Sequence, residues 1–126
     1  MIAIADDDRE LTHGLSRLLR EAGYDVRTAS DGGQAYALAG DPKCCALILD
    51  LHMPNLNGAE LLLLMAHEGN DLPVIAMAGF ADFEPDEIKE FPNVRTYLQK
   101  PLAPEAVLEA VRRYARPKAS ADACCL

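Results

Sequence analysis

Three short runs of this chain are apolar from end to end: Ile2-Ala3-Ile4-Ala5, Ala46-Leu47-Ile48-Leu49 and Pro73-Val74-Ile75-Ala76-Met77-Ala78. Runs this short keep no polar face for water and are too brief to stand as helices. They suit strands buried on both sides, as in the interior of a parallel sheet covered by helices. Between them the pattern changes to helical spacing. Leu11, Leu15, Leu18, Leu19 and Ala22 recur through 9–22 behind Asp8, a candidate N-cap, and Gly23 ends the segment. Asp31 can cap a second helix to about Ala39, closed by Gly40-Asp41-Pro42. A leucine-rich helix is predicted from about Gly58 to His67, a weaker one around 85–91, and a last one from about 104 to 115 with Pro104 in its first turn. Tyr24–Ala29 and 94–98 read as the remaining strands.

Five strands alternating with five helices predict an α/β fold, a doubly wound five-stranded parallel sheet with helices on both faces. No repeat or linker divides it, so residues 1–115 read as one domain and the small, polar stretch 116–126 as a flexible tail. A formal charge of −8, from 12 basic and 20 acidic residues, argues against direct binding of nucleic acid. No apolar run approaches the ~20 residues of a membrane span, and no signal-peptide pattern opens the sequence, so a cytoplasmic location is expected. The cysteines form two adjacent pairs, Cys44-Cys45 and Cys124-Cys125, without metal-ligand spacing; four reduced thiols are expected.

In open parallel sheets the binding site lies beyond the carboxyl ends of the strands. That rule gathers Asp6 and Asp7 after the first strand, Asp50 after the third, Ala78 at the end of the fourth and Lys100 after the fifth. Crowded carboxylates raise one another's pKa unless a cation relieves them. Mg²⁺ fits, because it takes one or two carboxylates and leaves room for phosphate oxygens. An aspartate between a magnesium ion and a lysine is placed to receive a phosphoryl group as nucleophile. Taken singly, each of these residues reads equally well as a cap or a strand end. Asp8 reads as a cap, His52 as solvated, His13 as part of a polar helix face and His67 as a favourable charge at a helix C-terminus.

Together, Ile2–Asp8, LILDLHMPNLNG at 47–58 and YLQKP at 97–101 resemble the receiver domain of bacterial two-component response regulators, the CheY-like family, over residues 2 to about 115. The resemblance implies a flavodoxin-like (βα)5 fold with strand order 2-1-3-4-5. It implies Asp50 as phosphoacceptor, served by a histidine kinase or histidine phosphotransfer protein. Asp7 would be a direct Mg²⁺ ligand beside Asp50, Asp6 would act through a metal-bound water, and the backbone carbonyl of His52 would complete the set. Lys100 would contact the phosphoryl group and Pro101 would be a cis proline. Tyr97 matches the aromatic switch on the output face formed by the fourth helix, the fifth strand and the last helix. His52 and Phe80 would flank the path of the attacking water and tune the lifetime of the phosphoryl group.

One position departs from the family. Where its members carry Thr or Ser at the end of the fourth strand, this sequence has Ala78, followed by Gly79 and Phe80. A phosphorylation-independent interaction module is therefore an alternative to a phosphoacceptor that signals through protein contacts. An aspartate-nucleophile phosphatase fits poorly, since His52 stands where that class places a second acid. The chain ends 11 residues after Ala115, as a single-domain regulator or a fragment of a protein with an output domain would.

Overall fold

The computed structural model describes residues 1–51, 58–79 and 91–116. They form five parallel strands, β1 (Ile2–Ala5), β2 (Val26–Ala29), β3 (Ala46–Asp50), β4 (Val74–Ala78) and β5 (Val94–Gln99), in the order β2-β1-β3-β4-β5. Four helices are described, α1 (Arg9–Glu21), α2 (Gly32–Ala39), α3 (Gly58–His67) and α4 (Pro104–Tyr114). Residues 85–90 of the weak helix expected around 85–91 lie outside the described residues, as do His52, Phe80 and 117–126. No helix is long and apolar enough to cross a membrane among the described residues.

Every residue of β1, β3 and β4 is buried, the pattern of strands covered on both faces. Alternate side chains go to opposite sides. Ala3, Leu47, Leu49, Val74 and Ala76 join one core layer with Leu61, Leu62 and Met65 of α3. Ile2, Ile4, Ile48, Ile75 and Met77 join the other, with Leu15 and Leu19 of α1 and Val107 and Val111 of α4.

The helix ends follow from side-chain chemistry. Asp8 accepts hydrogen bonds from the backbone N–H groups of Glu10 and Leu11, and Asp31 from that of Gln34, so both aspartates cap helices. Helix α1 closes through Gly23, whose φ of 100° is a conformation that side chains with a Cβ rarely adopt. The N–H of Gly23 donates to Arg20 O and that of Tyr24 to Leu19 O, a Schellman ending. This corrects the expected start of the second strand. Tyr24 is committed to the helix end, and pairing begins at Val26.

A second correction concerns the cysteines. Cys44 is a free buried thiol, but Cys45 is disulfide-bonded, against the expectation of four reduced thiols. Pairing depends on which sulfurs the fold brings close, and residue counts and spacing do not report that. Arg116, where the tail was expected to begin, donates its backbone N–H to Cys45 O and pairs with Asp71 at 2.6 Å.

Candidate functional site

Register brings the acidic residues together. Ala5 pairs with Leu49 across β1 and β3, so Asp6 leaves β1 level with Asp50 at the end of β3. Both are nearly inaccessible, at 1% and 4% exposure, whereas Asp7 is open to solvent. One carboxylate oxygen from each of Asp6, Asp7 and Asp50 lies within 4.8 Å of the others.

Lys100 arrives from the far side of β4. Its N–H donates to Ala78 O at 2.9 Å, extending the β4–β5 ladder by one bond, and the Lys100–Pro101 peptide is cis. Its Nζ donates to Asp6 Oδ2 at 2.8 Å and to Asp50 Oδ2 at 3.3 Å. Burial opposes the lysine's charge, but the hydrogen bond to Asp6 and the charges of Asp50 and Asp6 outweigh it, and its pKa is raised. The other oxygen of Asp6 accepts the N–H of Asp8 at 2.9 Å. Asp6 is thus held rigidly by protein groups, and Asp7 projects outward.

With its carboxylates ionised, the cluster carries more negative charge than one lysine neutralises. Hard oxygen donors with a surplus of negative charge, one of them solvent-facing, match the chemistry of a magnesium site that keeps several waters. Asp6, Asp7 and Asp50 are the described residues able to hold such an ion.

Ala78 is fully buried and contributes only a methyl group. It shares a core layer with half-buried Tyr97, which pairs in register with Ala76 on the neighbouring strand. His52 lies outside the described residues, so its carbonyl enters no geometry here.

Residues 2–112 match the family model described as the response regulator receiver domain. The chain belongs to this family. Among its relatives are the response regulators MprA of Mycobacterium bovis (strain BCG / Pasteur 1173P2) and of Mycobacterium leprae (strain TN). Each is 32% identical over 122 residues, covering 97% of this chain and 53% or 54% of the relative. The chain therefore spans about half the length of the curated relatives it matches. Similar solved structures include the receiver domain of the Francisella response regulator 1452, with a TM-score of 0.80 and 25% identity over 90% of this chain and 93% of that one. A CheY-like receiver domain protein from Methanospirillum hungatei JF-1 matches with a TM-score of 0.79 and 25% identity, over 89% and 90% of the two chains. This chain is accordingly a response regulator receiver domain of two-component signalling, with the flavodoxin-like strand order of its relatives.

The receiver fold gives one further residue a part that its sequence position did not announce. Gly58 opens α3 and lies against the exit of β3. A Cβ there would sit 2.6 Å from Leu51 Cα, 2.7 Å from Leu51 Cδ2 and 3.3 Å from Asp50 O. Its N–H donates to Leu51 O at 3.0 Å. The glycine eight positions after Asp50 was the available signal; only the fold shows that it lets the helix touch the backbone carrying that aspartate.

Proposed function

We propose that this receiver is a phosphoacceptor: Asp50 takes a phosphoryl group from a histidine kinase or histidine phosphotransfer protein, and output passes through contacts with a downstream protein or output domain in the cytoplasm. The observation that carries the reading is the shared ammonium of Lys100, hydrogen-bonded at once to Asp6 and Asp50. An Asp50 oxygen attacks phosphorus, the bond from phosphorus to the donor nitrogen breaks, and the donor keeps the electron pair. Lys100 releases part of its contact with Asp50 to hold a phosphoryl oxygen, while Asp6 keeps the ammonium in place. When bound, Mg²⁺ neutralises charge on the carboxylates and on the phosphoryl oxygens. Asp7 and Asp50 would ligate it, Asp6 would act through a metal-bound water, and the backbone carbonyl of His52 would complete the protein's share.

The test is labelling with a small phosphodonor and Mg²⁺. Wild type is expected to form an adduct that hydroxylamine and alkali cleave, as they do an acyl phosphate, and that chelation prevents, and Asp50→Asn to form none. Equal labelling of Asp50→Asn sinks the proposal.

A second reading rests on Ala78. Without a hydroxyl at this position the domain could serve as an interaction module whose partner surface works regardless of phosphorylation. The intact set of Asp6, Asp7, Asp50 and Lys100 favours the first reading for the chemistry. The two part at the partner: phosphorylation-dependent output requires partner affinity to change with a phosphoryl mimic, and an unswitched module binds equally with and without it.

A further inference from the structure

Asp8 ends the acidic run, yet the carboxylates that converge are those of Asp6, Asp7 and Asp50. The exposed side chain of Asp8 is turned to the start of α1, where its Oδ1 accepts the N–H groups of Glu10 at 3.0 Å and Leu11 at 3.3 Å. Its carbonyl accepts the N–H of Thr12 at 3.0 Å, the first bond of the helix. Side chain and carbonyl together hold the residue in the extended conformation of an N-cap, with φ of −81° and ψ of 105°. Its own N–H then points away from the helix and donates to Asp6 Oδ1 at 2.9 Å.

That bond matters because Asp6 is buried, with 1% exposure, and its two oxygens are divided between donors from different elements. Oδ1 takes the Asp8 N–H from the start of α1, and Oδ2 takes Lys100 Nζ from the end of β5 at 2.8 Å. Depriving a buried charged oxygen of its donor costs more than an ordinary hydrogen bond contributes. An Asp6 released by Asp8 would therefore turn both oxygens to the ammonium. Of the two lysine contacts, the longer one, 3.3 Å to Asp50, is the one that would yield. Asp7 is held by the same device, since the Asp6–Asp8 bond spans it and fixes the turn that carries it.

We propose that Asp8 is a positioning residue for phosphoryl transfer: by capping α1 it aims its N–H at Asp6, which keeps Lys100 shared with Asp50 and holds Asp7 beside them. The inference rests on the phosphoacceptor reading of Asp50. Asp8 acts through geometry and not through charge, so Asn or Ser, which also cap helices, can stand in its place.

Three variants test this: Asp8→Ala, which cannot cap, and Asp8→Asn and Asp8→Ser, which can. Circular dichroism checks that each is folded at the temperature used. Labelling by a small phosphodonor at one sub-saturating Mg²⁺ concentration is expected to be about tenfold slower in Asp8→Ala, since losing a group that orients a metal ligand typically costs about 10–100-fold. The capping variants should label within about twofold of wild type. In the metal-free protein, the Asp6 carboxyl ¹³C resonance should move in Asp8→Ala and stay near its wild-type position in the other two. A merely structural cap would lower the melting temperature without moving either readout. Asp8→Ala that labels at the wild-type rate, or whose Asp6 resonance does not move, overturns the proposal. Capping variants as slow as Asp8→Ala overturn it too and assign the effect to the lost charge. Wild type that fails to label, or Asp50→Asn that labels equally, sinks the phosphoacceptor reading itself and this inference with it.

Discussion

A methyl group at Ala78 stands one strand from the Tyr97 ring, in the layer that links the acidic pocket to the edge of the sheet. A hydrogen bond to a charged group is worth about 1.5–3 kcal/mol, close to the ~1–3 kcal/mol of a typical coupling between sites. The two are of one size, so in the proposed reading a missing hydroxyl at Ala78 weakens the response of Tyr97 while leaving phosphoryl transfer to Asp50 intact. Residue-scale chemistry is also decisive at Cys44. Burial pushes this thiol up to about 11 from 9.0, despite hydrogen bonding to Ala46 that pulls the other way. The folded value lies above the unfolded one, so the stability tied to its burial is intact at neutral pH and falls as pH rises from about 9 towards 11. Since the thiolate is the nucleophile, Cys44 should resist alkylation at about pH 8 in the native protein and react on unfolding. Peptide mass mapping reads this directly; rapid native labelling of Cys44 would contradict it. Asp6, Asp7, Asp50 and Lys100 were legible as a group, not singly, because the carboxyl ends of parallel strands share one edge, and there the structure brings them together. The disulfide of Cys45 was not, because sulfur–sulfur proximity is a property of the folded chain.

At the scale of elements, β1, β3 and β4 were readable because their unbroken apolar runs leave no alternative to two-sided burial. Helices α1 and α2 were readable from their caps, Asp8 and Asp31. Tyr24 was misread because its alternating neighbourhood imitates a strand, while the hydrogen bond that claims its N–H runs backward to Leu19. Likewise, the junction of β3 with α3 depends on a contact that periodicity cannot reveal. A methyl group at Gly58 would collide with the Leu51 backbone, which cannot rotate away as a flexible side chain could. Gly58→Ala should therefore lower stability by about 1–3 kcal/mol, seen as a lower urea midpoint at unchanged slope. It should also slow phosphoryl labelling, because the Leu51 backbone that must shift is joined directly to Asp50. A variant with the wild-type midpoint and labelling rate would show that the junction relaxes without cost.

For the molecule as a whole, the sheet separates two tasks. Its carboxyl edge between β1, β3 and β5 gathers three carboxylates and a lysine, and the layer holding Ala78 and Tyr97 leads away from that edge. The sheet order was legible only through family resemblance, since spacing alone leaves the order of parallel strands open; the structure has that order. The central claim is that the pocket receives a phosphoryl group while the path onward is broken at Ala78. NMR of the Tyr97 ring and of the Asp6–Asp7 amides, with and without Mg²⁺ and a phosphoryl mimic, tests it in wild type and Ala78→Thr. The account predicts that the mimic shifts the Asp6–Asp7 amides in both proteins and moves Tyr97 only in Ala78→Thr. A Tyr97 response in wild type equal to that in Ala78→Thr would contradict it.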